Sequence, residues 1–111
     1  QKKSLVFSDS SMLTCFINDF GMENAFTKFL EFYADNETLC ILISSGGESI
    51  NILNCIKLCE SKGIPYGLLT GFNENNSARK ISSNALWDYH IKSKSYGIVE
   101  CVHQIFLHGV V

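Results

Sequence analysis

The sequence has no basic cluster, no long apolar run and no even set of cysteines. Nine Lys and Arg against eleven Asp and Glu leave a net charge of −2. Nucleic-acid backbones are held by clustered Lys and Arg, so this balance excludes nucleic acid as the main ligand. No stretch reaches the roughly 18 apolar residues that suggest a membrane span. The opening Gln1-Lys2-Lys3-Ser4-Leu5-Val6-Phe7-Ser8-Asp9 lacks the apolar region of a signal peptide. No membrane partner is expected. The five cysteines, Cys15, Cys40, Cys55, Cys59 and Cys101, lie in apolar surroundings. An odd set of this kind fits reduced thiols in the cytoplasm and argues against a disulfide framework. No repeat, low-complexity tract or linker divides the chain, and 111 residues at 46% hydrophobic suffice for one domain with one core. A chain opening on Gln reads as trimmed at its N-terminus.

What is present centres on residues 38–54. Leu39-Cys40-Ile41-Leu42-Ile43 is an unbroken apolar run, suited to a strand buried on both faces of a parallel sheet. It ends at Ser44-Ser45-Gly46-Gly47-Glu48-Ser49, after which Ile50, Leu53 and Ile56 recur at helical spacing. A strand, a small polar glycine loop and a helix put backbone N–H groups and hydroxyls at a helix N-terminus, where the dipole favours an anion. Ser44, Ser45 and Ser49 can each donate an O–H, and Gly46 and Gly47 allow close approach. One reading is a phosphate cradle. The other is a tight turn with Ser49 as an ordinary N-cap.

On the N-terminal side, Ser8-Asp9-Ser10-Ser11 leads into Met12, Leu13, Phe16 and Ile17, which predicts a helix over 10–19 ended by Gly21. A second helix is predicted over 22–34 with a broad apolar stripe. On the C-terminal side the prediction is a helix over 50–61 capped by Gly63, a strand over 64–70, a weak helix near 78–82, an edge strand over 85–91 and a last helix over 98–108. Strand–helix alternation implies right-handed crossovers and a mostly parallel sheet. Three strands make a thin sheet, so a further strand is expected upstream. Cys55 and Cys59, at i and i+4 on one helix face, read either as a metal pair or as small core residues.

Several segments resemble a known family. Ser10-Ser11-Met12-Leu13-Thr14 with Asn18-Asp19-Phe20-Gly21, then Ile43-Ser44-Ser45-Gly46-Gly47-Glu48-Ser49-Ile50-Asn51, then Leu68-Leu69-Thr70-Gly71, then Tyr96-Gly97-Ile98-Val99-Glu100-Cys101-Val102-His103 and His108, are similar to the sugar isomerase (SIS) domain. The likeness is strongest to its phosphoheptose isomerase branch, which interconverts sedoheptulose 7-phosphate and a heptose 7-phosphate. The resemblance implies an α/β fold, a three-layer α/β/α sandwich around a mostly parallel sheet. It implies a homo-oligomer, usually a tetramer, with sites between subunits. It assigns the sugar phosphate to Ser44, Ser45, Gly46, Gly47 and Ser49, and substrate contact to Asn18 and Asp19. It makes Glu100 and His108 ligands of a zinc ion in metal-dependent members, with His108 also an acid–base group. The chain departs from the pattern in three ways. Gly46 stands where a third hydroxyl is usual, and Glu100 where Gln is usual. The family's opening helices and first strand, with an Asn-Gly-Gly-Ser-type loop and a helix carrying a His and a catalytic Glu, have no counterpart over residues 1–111, which are read as one SIS domain lacking that part.

Spacing alone would pair Glu100 with His103, at i and i+3, as ligands on one helix face. Glu100 and His108 are about 12 Å apart along a helix and roughly 80° apart around it, yet the resemblance favours His108. His103 then reads as a packed helix histidine and His90 as a surface residue. Asn51 falls in a first helical turn and reads as a cap. Thr70-Gly71 ends a strand at the carboxyl edge of the sheet, where open α/β sheets bind ligands. Two functions follow. One is an aldose–ketose isomerase acting on a phosphorylated heptose. The other is a SIS domain that binds a phosphosugar without catalysis.

Overall fold

The computed structural model describes residues 3–110. In chain order the elements are α1 (Ser10–Phe20), α2 (Met22–Tyr33), β1 (Cys40–Ser44), α3 (Ile50–Lys62), β2 (Tyr66–Gly71), α4 (Ser77–Ile81), β3 (Asp88–Ile91) and α5 (Tyr96–Val110). The strands form one parallel sheet in the order β1-β2-β3. Successive parallel strands need a crossover. Helix α3 supplies the first and the loop with α4 supplies the second.

Alternation along the strands sorts the core. Leu42, Tyr66 and Leu68 join Cys55, Ile56, Cys59 and Ala78 in one buried cluster, against which Phe26, Leu30 and Cys40 also pack. Helices α2, α3 and α4 therefore lie on one face. Helix α2 packs on α3, and α1 packs on α2. The other face meets α5, whose Val99 is fully buried where β2 ends: a Cβ on Gly71 would come within 2.6 Å of the Val99 methyls. These are three layers, α/β/α, as expected. Cys55 and Cys59 are core residues. Phe7, outside any helix, stacks on Phe29 at 4.2 Å and meets Phe16 and Phe26 edge-on, closing the far side of α1 and α2.

Local chemistry fixes the element ends. Asp9 caps α1 by accepting from the Met12 N–H at 2.9 Å. Gly63 takes the left-handed conformation (φ 68°) that ends α3. Asn76, fully buried, caps α4 by accepting from the Arg79 N–H. Pro65 precedes β2, and its carbonyl accepts from the Cys40 N–H, so the first rung of the sheet uses the group that proline keeps. The last strand starts at Asp88, later than the periodicity suggested, because Leu86 and Trp87 already bond to β2 from an irregular segment. Helix α5 is longer than expected at both ends.

Candidate functional site

The carboxyl edge of the sheet brings together a row of polar residues. Ser44 is paired in register with Thr70, and Thr70 with His90. Ser44 and Thr70 are buried. Directly after Ser44 the chain makes the glycine loop and enters α3. An open recess of about 460 Å³ lies over this loop, lined by Ile43, Ser44, Ser45, Gly46, Glu48, Ser49 and Tyr96.

The loop is held open by two devices. The Ser44 hydroxyl accepts from the Gly47 N–H at 3.0 Å. Gly47 itself has φ 71°, and a Cβ there would fall 2.2 Å from the Asn76 side chain, so this position requires glycine on both conformational and steric grounds. The start of α4 then grips the loop from outside. The Ala78 N–H donates to the Gly47 carbonyl at 2.9 Å, and Ser77 donates its N–H and its hydroxyl to the Glu48 carboxylate. With the loop fixed, the N–H groups of Gly46, Glu48, Ser49 and Ile50 donate to no group among the described residues. Ser49 occupies the N-cap position of α3, yet its side chain makes no capping bond. The simple capping role is therefore absent, and its hydroxyl is free alongside those amides. Of these residues Gly46, Glu48 and Ser49 line the recess, and unpartnered amides and hydroxyls at a helix N-terminus suit an anion such as phosphate.

Gly46 departs from the expected hydroxyl without steric need. A Cβ there would meet only the Phe72 ring, at 3.6 Å, an ordinary contact. Glu48 is the residue that the sequence reading passed over. Its two hydrogen bonds from Ser77, the side-chain one above all, hold its carboxyl below the usual carboxylate range. A carboxylate therefore borders the recess, with its oxygens engaged by α4.

The other predicted residues are distributed unevenly. Asn18 and Asp19 are exposed at the end of α1, where the Asn18 amide donates to Asp19 at 3.3 Å. The Asn54 amide donates to the Glu23 carbonyl at 2.9 Å, tying the α1–α2 corner to the second turn of α3. That places Asn18 and Asp19 toward the loop end of the molecule. Helix α5 starts at the recess with Tyr96 and runs back across the sheet. It passes Gly71 at Val99, Thr70 at His103, and Trp87 and Tyr89 at Phe106. Glu100 lies one turn into it and His108 roughly 18 Å from its start, both exposed. One copy of the chain thus keeps His108 away from its own glycine loop.

His103 is buried, and its Nε2 lies 2.9 Å from the Thr70 carbonyl oxygen. A carbonyl only accepts, so Nε2 carries the proton, while Nδ1 is buried and has no partner. This is the packed histidine expected. His90 is not a surface residue. It is half-buried, with Nδ1 3.0 Å from the Thr70 hydroxyl and Nε2 buried without a partner. Its in-register pairing with Thr70 turns it inward, and burial, reinforced by Arg79, pushes its pKa below 6.5.

A zinc ion would need more than the described residues supply. No three His, Cys, Asp or Glu side chains cluster among them in a way that could hold a metal. Glu100 and His108 are separated by two helical turns. Glu100 and His108 therefore do not make a zinc site by themselves.

The fold and loop define an α/β domain with a candidate anion site at the carboxyl edge of its sheet. No family model matches the chain. It is similar, however, to phosphoheptose isomerases along nearly its whole length. With that of Sodalis glossinidius it is 28% identical over 107 residues, covering 96% of this chain and 52% of the relative. With that of Fusobacterium nucleatum it is 28% identical over 109 residues, covering 97% and 54%. The solved phosphoheptose isomerase of Neisseria gonorrhoeae has the same fold, with a TM-score of 0.84 at 20% identity over 92% of this chain and 56% of that one. The chain spans about half the length of the curated relatives it matches. The resemblance read from the sequence is thus shown by the proteins it matches. Among the described residues no helix is long and apolar enough to cross a membrane.

Proposed function

We propose that residues 1–111 form a SIS-type domain of a cytoplasmic aldose–ketose isomerase acting on a heptose 7-phosphate, and that they supply its phosphate cradle. The observation that carries this reading is the loop itself. The residues of three unpartnered amides, Gly46, Glu48 and Ser49, and the free Ser49 hydroxyl line the recess ahead of α3, in a chain whose curated relatives are named phosphoheptose isomerases. Ser45 and Ser49 donate to the phosphate. Ser44, whose oxygen already accepts from Gly47, keeps its own O–H for the same purpose.

Isomerisation moves a proton between the two carbons beside a carbonyl, so an acid–base group must reach them. His108 is the candidate. Its distance from the cradle of its own chain supports an oligomer in which His108 serves the cradle of a second copy. Ile98 and Ile105, 54% and 69% exposed on the outward side of α5 with Cys101 beside them, support that assembly. So do Phe32 and Met22 on α2, 70% and 64% exposed, since apolar patches of this kind mark interfaces. We place the assembly as a homotetramer, with Glu100 and His108 as two ligands of any zinc bound there. The test is turnover of sedoheptulose 7-phosphate by the intact protein. Turnover that is lost in His108→Ala supports the isomerase. Tight phosphosugar binding with no turnover would leave the non-catalytic phosphosugar-binding reading in its place.

A further inference from the structure

The recess has one lining side chain that comes from neither β1 nor the glycine loop. This is Tyr96, the first residue of α5. The residue is 62% exposed, yet its ring is packed on one side. Phe72 packs edge-on against it, with ring centroids 4.5 Å apart and planes at 66°. The Phe72 ring also reaches to 3.6 Å from the position of a Gly46 Cβ. Phe72 is the only non-glycine residue with positive φ (61°) among the described residues. That conformation is unfavourable for a bulky side chain and persists only where surrounding structure enforces it. The enforcement is visible. Gly71 is clamped by Val99, and the Phe72 N–H donates to the Ser93 carbonyl at 2.9 Å, in the loop just before α5. Phe72 is thus wedged between the cradle and Tyr96.

An exposed aromatic ring beside an anion cradle presents an apolar face and a hydroxyl to whatever carbon skeleton the anion carries. Small-ligand sites are commonly built this way, with an aromatic wall for the body of the ligand and a few polar groups for its orientation. We propose that Tyr96, buttressed by Phe72, is a specificity-determining residue that takes the carbon chain of the phosphosugar while the loop takes the phosphate. This rests on the reading of the loop as a phosphate cradle. It goes further by dividing the ligand between two structures, so that the wall distinguishes a phosphosugar from free phosphate.

The experiment measures binding of sedoheptulose 7-phosphate and of inorganic phosphate, each by calorimetry, to the intact protein and to Tyr96→Ala, Tyr96→Phe and Phe72→Ala. Tyr96→Ala is expected to weaken the phosphosugar about fivefold to tenfold and to leave phosphate within about twofold. Tyr96→Phe, which keeps the ring, retains most of the phosphosugar affinity. Phe72→Ala, which removes the buttress, follows Tyr96→Ala. Equal affinities for the phosphosugar in Tyr96→Ala and the parent would overturn the proposal while the cradle stands. A parallel loss of both ligands would also overturn it, since Tyr96 would then act on the loop and not on the carbon chain. If the parent binds neither ligand, the cradle reading itself fails and the wall falls with it. The thermal transition, followed by the single tryptophan, Trp87, confirms that the variants are folded.

Discussion

Two adjacent glycines in the loop should respond oppositely to substitution. Gly47 sits at φ 71°, and an added Cβ would lie 2.2 Å from the Cγ and Oδ1 of Asn76. Asn76 cannot simply move away. It is fully buried, its Oδ1 caps α4 through the Arg79 N–H at 3.0 Å, and its Nδ2 donates to the Asn73 carbonyl at 2.9 Å. Gly47→Ala therefore carries the cost of a left-handed non-glycine residue, about 1–2 kcal/mol, and the loss of a cap, about 0.5–2 kcal/mol. Roughly 1.5–4 kcal/mol of stability should disappear, together with phosphate binding, because the amides of residues 48–50 are set by this turn. Gly46→Ser meets only the Phe72 ring at 3.6 Å. It should change stability by no more than about 0.5 kcal/mol and strengthen phosphate binding by adding the hydroxyl that the loop lacks. The assay is urea unfolding followed by phosphate calorimetry on both variants. A Gly47→Ala protein as stable and as phosphate-competent as the parent would refute the reasoning.

Other outcomes follow from the same geometry. Ser49→Ala should leave the melting temperature almost unchanged, since its side chain makes no cap bond, yet weaken phosphosugar binding in calorimetry; a large loss of stability without loss of affinity would contradict this. His103→Leu removes the donor to the Thr70 carbonyl and should cost about 1–3 kcal/mol in denaturant melts, whereas His103→Gln, whose amide nitrogen can stand near the Nε2 position, should recover much of it. His90 has its folded pKa pushed below 6.5 by burial, so the unfolded chain binds the proton more readily. Its contribution to stability is complete above pH 6.5 and is lost as pH falls below that value; His90→Gln should flatten this part of the stability–pH profile. Thiol titration should label exposed Cys15 rapidly, and buried Cys55, pushed up to about 11, and Cys59 only on unfolding.

The sequence made the strand–loop–helix unit legible because each part carries its own signal. Residues 39–43 are apolar without interruption, the loop is small and polar, and Ile50, Leu53 and Ile56 recur at helical spacing. Gly21 and Gly63 marked helix ends for the same local reason. Long-range partners were not legible. His90 read as surface because four residues of β3 show little periodicity, and only its register with Thr70 turns it inward. Ser49 stood at the right place for a cap, but nothing in the sequence tells whether a cap bond forms. Glu48 was invisible as a structural residue because its partner, Ser77, lies 29 positions away. The strained Phe72 carries no sequence mark either, since φ there is set by Gly71 against Val99 and by Ser93. Glu100 and His108 were paired by resemblance, and only the direction of α5 sets His108 away from the glycine loop of its own chain.

The most direct test is a crystal structure of the intact protein with sedoheptulose 7-phosphate. The account predicts phosphate oxygens at hydrogen-bond distance, about 2.7–3.2 Å, from the amides of Glu48 and Ser49 and the hydroxyls of Ser45 and Ser49. A phosphosugar bound elsewhere, with the loop of residues 44–49 filled only by solvent, would contradict it.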